Sequence, residues 1–156
     1  MKTLFSFTLF ILCSFNVVGQ DFIGDFKSVA KLGLKRYKKS NDSINVLIKE
    51  TKSTLELIVD DTTMNSLKIR LEFDKRRKCI SKTLVSDCQE CFDLYLNELI
   101  QDNRYEWIKL TEYEYISKYS KRRLLFIKRE VPFTYTLRGF IMTKVEYDNF
   151  LQEYKK

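Results

Sequence analysis

No histidine occurs among the 156 residues of this chain, and glycine and proline are scarce, with four copies and one copy. Without histidine, the chain cannot build a serine–histidine–aspartate triad, a histidine-containing zinc site or a histidine proton shuttle. The four glycines form no glycine-rich loop of the kinds that bind nucleotide phosphates. We therefore expect neither an enzyme nor a bound cofactor or metal ion.

The composition that remains is typical of a folded domain. Hydrophobic residues make up 44% of the chain and charged residues 31%, a balance that favours a globular chain over a disordered one. The length suits one domain with one core. The 28 Lys and Arg residues exceed the 21 Asp and Glu residues, which gives a formal charge of +7 and favours partners of negative charge.

The N-terminal segment is typical of a secretory signal peptide. Lys2 precedes an apolar stretch over residues 4–12, and Gly19 is a small residue of the kind found at signal cleavage sites. The apolar stretch is about half of the roughly 20 residues that a membrane-spanning helix needs, which favours a cleaved signal over an anchor. We predict that residues 1–19 are removed and that residues 20–156 form a single α+β domain, periplasmic or secreted. Loss of Lys2 would lower the formal charge by one, to +6, and one of the four cysteines would be lost with the signal.

Hydrophobic periodicity predicts three helices and about six to seven strands. Helical spacing covers residues 21–39, where Asp21 and Asp25 suit the helix dipole, then a stretch capped by Ser86 or Asp87 that runs to about residue 101, and a final helix capped by Thr143. Alternation predicts strands over residues 44–49, 55–59, 67–73, 79–85, 105–110, 124–128 and 133–142. The connections are too short for repeated parallel crossovers, so we expect an α+β fold with mostly antiparallel strands, in the order α, three or four β, α, three β, α.

Three cysteines, Cys79, Cys88 and Cys91, remain after the predicted cleavage. Disulfides persist in exported proteins, and an odd number leaves one thiol over. In one interpretation, a bridge from Cys79 to Cys88 or Cys91 closes a loop of about ten residues and stabilises the fold by roughly 2–3 kcal/mol. The alternatives are a redox-active pair at Cys88 and Cys91, a zinc site of three thiolates, and thiols without a role. Negative charge at Asp87 and Glu90 disfavours the redox alternative.

Basic residues concentrate at two predicted turns. They are Lys75, Arg76, Arg77 and Lys78 in the first turn, and Lys118, Lys121, Arg122 and Arg123 in the second. If both turns fall at one end of the sheet, they form one surface for an anionic partner. The competing interpretation is that they are solvated hairpin ends, or that they face the acidic second helix. Anionic polysaccharide, lipid head groups and acidic proteins are candidate partners, whereas export makes nucleic acid an unexpected one.

The first predicted helix offers one further alternative, because a basic amphipathic helix can lie on an anionic membrane. Its acidic start and its apolar face favour packing against the domain instead. Taken together, the sequence predicts an exported, non-catalytic binding or interaction protein that is not an integral membrane protein. The alternative is a thiol–disulfide active protein that uses Cys88 and Cys91.

Overall fold

The structure, a computed structural model, describes residues 20–41, 45–61 and 65–154. The predicted signal peptide, residues 1–19, lies outside the described residues. Within the described part of the chain, three helices accompany one antiparallel sheet of eight strands. The predicted α+β class and antiparallel pairing are confirmed, but the sheet has eight strands rather than six to seven.

Each half of the fold begins with a helix and continues with four strands. The first half contains α1 (Lys27–Ser40), β1 (Asn45–Glu50), β2 (Thr54–Asp61), β3 (Asn65–Phe73) and β4 (Cys79–Ser86). The second half contains α2 (Gln89–Gln101), β5 (Ile108–Lys109), β6 (Glu114–Ile116), β7 (Arg123–Lys128) and β8 (Phe133–Gly139), and α3 (Lys144–Tyr154) follows. The strand order is β1-β2-β3-β4-β8-β7-β6-β5, so the two meanders meet where β4 pairs with β8.

The main core lies between one face of the sheet and the helices α1 and α2. Register places Leu55, Leu71, Leu137 and Leu125 on that face, in β2, β3, β8 and β7, with Lys82 of β4 in the same row, and all four leucines are buried. The apolar face of α1 is buried in the same core, with Ala30, Leu34 and Tyr37, and α2 adds Phe92 and Leu96. The apolar face of α1 therefore packs against the sheet, as the sequence favoured, and is not left to contact a membrane.

The third helix covers part of the opposite face of the sheet. Tyr147 of α3 packs with Ile116 and Phe140, and Leu124 borders this second cluster. Thr143 caps the helix as predicted: the Thr143 N–H donates to the Glu146 carboxylate at 2.7 Å, and the Glu146 N–H donates to the Thr143 hydroxyl at 3.3 Å. This reciprocal pair is a capping box.

The first helix begins six residues later than predicted, at Lys27. Gly24 adopts a φ of +93°, and its N–H donates to the Cys79 carbonyl at 2.8 Å. Phe26 then forms an isolated antiparallel bridge with Lys78. Residues 22–26 are thus held against the sheet by backbone contacts, and the prediction that Asp21 and Asp25 lie in the first turn of the helix was wrong.

The second half also differs from the prediction in its details. The N-cap of α2 is Cys88 rather than Ser86 or Asp87, because the Ser86 hydroxyl accepts from the Cys88 N–H at 3.2 Å instead of capping the helix. The three residues of β6 are too few for alternation to be recognised in the sequence. The last strand ends at Gly139, three residues earlier than expected.

Candidate binding surface

The two basic turns lie at the same end of the sheet. Ser81 near the start of β4 pairs with Arg138 near the end of β8, and Arg138 pairs with Leu124 at the start of β7. The β3–β4 turn and the β6–β7 turn therefore emerge on the same side. Three strand spacings separate them, or about 14 Å. We call the surface formed by Lys75, Arg76, Arg77, Lys78, Lys118, Lys121, Arg122 and Arg123 the basic rim.

The N-terminal segment, residues 20–26, crosses the gap between the two turns. On one side, the Cys79 N–H donates to the Asp25 carbonyl at 2.8 Å. On the other, the Arg123 guanidinium donates to the Asp21 carboxylate at 2.8 Å and to the Ile23 carbonyl at 3.0 Å. This segment links the two turns into one continuous surface.

A buried lysine holds the beginning of the same segment. The Lys82 ammonium donates to the Gln20 carbonyl at 2.8 Å and lies 5.9 Å from the centre of the Phe22 ring. Burial lowers the pKa of Lys82 to about 8, because the charged form loses hydration there. Lys82 therefore serves to anchor the N-terminal segment inside the fold and is not part of the exposed rim.

Within the described residues, two of the eight rim cations form ion pairs with acidic side chains. Arg123 is paired with Asp21, as described, and Lys118 forms an ion pair with Glu106. Lys78 instead lies 5.5 Å from the centre of the Phe26 ring, and Arg122 stacks 5.0 Å from the centre of the Tyr119 ring.

The remaining four cations of the rim are more open. The exposed side chains of Lys75, Arg76, Arg77 and Lys121 form no ion pair within the described residues. The nearby Asp74 carboxylate shapes the first turn, since its Oδ1 atom accepts from the N–H groups of Arg76 and Lys78 at 2.8 Å each, and it forms no ion pair within the described residues. Counting Lys78 and Arg122, six of the eight positive charges thus have no acidic partner in this part of the chain.

A pocket of about 440 Å³ opens beside the first turn, where α1 begins. Its lining carries four cations, Lys27, Lys31, Arg76 and Arg77, and a single carboxylate, Glu50. Lys31 and Lys27 both hydrogen-bond that carboxylate and lower the pKa of Glu50. The first turn of α1 holds no acidic residue and its N-cap makes no side-chain hydrogen bond, so the positive end of the helix dipole adds to the local potential.

Apolar side chains stand out among the rim cations. Ile141 is 100% exposed, Val145 at the start of α3 is 68% exposed, and Phe26 is 53% exposed. The Phe140 N–H donates to the Arg122 carbonyl at 3.1 Å, which places Ile141 next to the second basic turn. The sequence did not indicate that Ile141 is exposed, because Ile141 falls within the strand predicted over residues 133–142.

The cysteines lie at the two ends of β4. Cys88 and Cys91 form a disulfide with Cα atoms 5.3 Å apart, whereas Cys79 is free and buried. The bridge from Cys79 that the sequence suggested is not formed, because the seven steps from Cys79 to Ser86 along β4 span about 23 Å, and disulfide Cα atoms lie within about 7 Å. The same separation keeps the three thiolates from meeting at one zinc ion.

Cys79 is also a poor nucleophile. Burial raises the pKa of its thiol to about 12, so the reactive thiolate is scarce at neutral pH. Among the described residues, no group of three or more cysteine and carboxylate side chains is arranged to hold a metal ion. Among the described residues, the basic rim is therefore the surface whose side chains best indicate a kind of partner, an anionic one.

No helix in the described part of the chain is long and apolar enough to cross a bilayer. Comparisons with protein-family models, with curated proteins and with solved structures found no match for this chain. The residues of the basic rim and their arrangement are therefore what indicates a function.

Proposed function

We propose that this chain is an exported, non-catalytic binding protein whose basic rim contacts an anionic partner. The observation that carries the proposal is the position of two basic turns at one end of the sheet, with six cations that lack acidic partners within the described residues. Solvated hairpin ends at opposite ends of the sheet would not concentrate positive charge in this way. Within the described residues, the acidic second helix forms no ion pair with the rim, and its Asp93 is paired with Arg129 instead.

The fold supplies a fixed spacing for these charges. Arg123 and Lys82 hold the N-terminal segment from two directions, and that segment is bonded to the start of β4. Both basic turns are thus attached to the same rigid sheet end. A cluster of like charges on a rigid surface raises the local concentration of an anionic partner and speeds its association, with a strong dependence on salt.

Binding to immobilised heparin, a sulfated polysaccharide, tests this proposal. The double variant Arg76→Gln, Arg77→Gln removes two rim charges without acidic partners, and we expect it to elute at clearly lower salt than the wild type. The control variant Lys38→Gln, Lys39→Gln removes two exposed charges from the last turn of α1, at the opposite end of that helix. Both variants lose the same formal charge, so equal elution would attribute binding to net charge and refute the proposed surface.

A thiol–disulfide active protein remains the second candidate, and the disulfide between Cys88 and Cys91 is what favours it. The pair occupies the N-terminus of α2, where the Cys91 N–H donates to the Cys88 sulfur at 3.1 Å. Donors at a helix N-terminus stabilise a thiolate after reduction. Asp87 and Glu90 act in the opposite sense, since their negative charges disfavour a thiolate nearby.

Reduction of insulin by dithiothreitol, with and without catalytic amounts of the protein, separates the two candidates. The binding proposal predicts no acceleration above a Cys88→Ser, Cys91→Ser variant. Catalysed reduction that disappears in that variant would establish the thiol–disulfide candidate instead.

A further inference from the structure

We infer that the anionic partner is the head-group layer of an anionic lipid bilayer, a conclusion that rests on the proposed function of the basic rim. The deciding feature is the combination of uncompensated cations with protruding apolar side chains. A soluble sulfated polysaccharide is attracted mainly by the positive charge of the rim and does not need the apolar side chains beside it. A bilayer surface offers negative head groups and, a few ångströms deeper, hydrocarbon.

Ile141 is the side chain best placed to enter the hydrocarbon. It is fully exposed in the short connection between β8 and α3, and Val145 follows in the first turn of α3. Cations flank this connection on both sides. The Lys144 ammonium forms an ion pair with Asp148 and lies 5.3 Å from the centre of the Tyr147 ring, whereas Arg122, whose carbonyl accepts from the Phe140 N–H, forms no ion pair within the described residues.

The first basic turn presents a second apolar side chain at the same end of the sheet. Phe26 lies at the N-cap of α1 with Lys78 beside its ring, and Arg76 and Arg77 line the adjoining pocket. Two exposed apolar side chains at one end of the sheet, each with cations nearby, fit an anionic surface that also offers hydrocarbon. Membrane attachment commonly needs both contributions, because neither a few charges nor one or two apolar side chains suffice alone.

Sedimentation with lipid vesicles tests the inference on the exported protein. The probes are vesicles of phosphatidylglycerol and phosphatidylethanolamine, vesicles of phosphatidylcholine alone, and immobilised heparin. We expect binding to the anionic vesicles and to heparin but not to the neutral vesicles. The variant Ile141→Ser, Val145→Ser should bind anionic vesicles about tenfold more weakly, since it loses apolar burial, and should bind heparin as the wild type does.

Val131 provides the matched control. It is as exposed as Val145, at 68%, but it lies in the β7–β8 turn at the opposite end of the sheet. Val131→Ser should therefore leave vesicle binding unchanged. A tryptophan placed at Ile141 should shift its emission to shorter wavelength with anionic vesicles and be quenched by brominated lipid, whereas a tryptophan at Val131 should show neither effect.

The outcomes separate this inference from the proposed function. Binding to heparin without binding to anionic vesicles overturns the membrane inference and leaves the basic rim intact as a site for soluble anions. Vesicle binding that is unaffected in the Ile141→Ser, Val145→Ser variant overturns it as well. Failure to bind either probe refutes the proposed function together with the inference.

Discussion

Replacing Arg123 with glutamine should destabilise the fold and loosen the basic rim. The Arg123 guanidinium makes its three shortest hydrogen bonds to the Asp21 carboxylate at 2.8 Å, the Ile23 carbonyl at 3.0 Å and the Lys121 carbonyl at 2.8 Å. The first two belong to the N-terminal segment and the third to the second basic turn. The shorter amide side chain of glutamine cannot reach all three at once.

The expected loss of stability depends on how deeply the ion pair between Arg123 and Asp21 is buried. Breaking a fully buried ion pair by deleting one partner costs about 3–5 kcal/mol, because the other charge is left unpaired. The side chains of Arg123 and Asp21 are 18% and 17% exposed, so water partly compensates the remaining carboxylate. We therefore expect the free energy of unfolding in urea to fall by about 2–3 kcal/mol.

Arg129 offers a matched control for this prediction. It forms an ion pair of nearly the same length with Asp93, 2.9 Å, but the two side chains are 48% and 35% exposed. Exposed ion pairs contribute up to about 1 kcal/mol, so Arg129→Gln should have a much smaller effect. Equal losses of stability in the two variants would show that Arg123 does not anchor the N-terminal segment in the way described.

Two further predictions concern buried groups on the helix-covered face. Cys79 should resist alkylation by iodoacetamide in the native protein and react only on unfolding, because its thiol is buried and the pKa of the thiol is raised. Rapid alkylation of Cys79 in the native protein, measured by mass spectrometry, would contradict its position in the core. The pKa of Lys82 is lowered to about 8 in the folded protein, against about 10.5 in the unfolded chain. Between these two pH values the unfolded state binds more protons than the folded state, so stability rises with pH. The free energy of unfolding of the wild type relative to Lys82→Met should therefore rise by about 1 kcal/mol from pH 7 to pH 9. Urea unfolding at the two pH values checks this, and a difference that is constant or falls would place the ammonium in water.

Much of the fold could be predicted because its sheet is covered mainly on one face. In β3, Leu67, Ile69 and Leu71 alternate with polar residues, and such alternation identifies a half-buried strand without knowledge of its neighbours. The start of α1 could not be predicted in the same way. Residues 22–26 continue the helical spacing of apolar residues, but the chain turns there instead, because the Asp25 N–H donates to the Phe22 carbonyl at 3.0 Å. Backbone hydrogen bonds of Gly24 and Asp25 with Cys79 hold this turn against the sheet.

The candidate site could likewise be predicted from the sequence only in part. The two clusters of basic residues and their location in turns could be recognised from the sequence, because turn residues are polar and the flanking strands alternate. Their position at one end of the sheet depends on the pairing of β4 with β8, whose paired residues are 47 to 57 positions apart in the chain. Ile141 could not be recognised, since its exposure depends on where β8 ends.

Amide chemical shifts of the protein provide the most direct test of the basic rim. During titration with a short sulfated oligosaccharide, the signals of residues 75–78 and 121–123 should shift together and saturate at the same ligand concentration. The amide signals of residues 129–131, at the opposite end of the sheet, should stay in place. Shifts confined to residues 88–91, or spread evenly over the surface without saturation, would contradict a binding site at the basic rim.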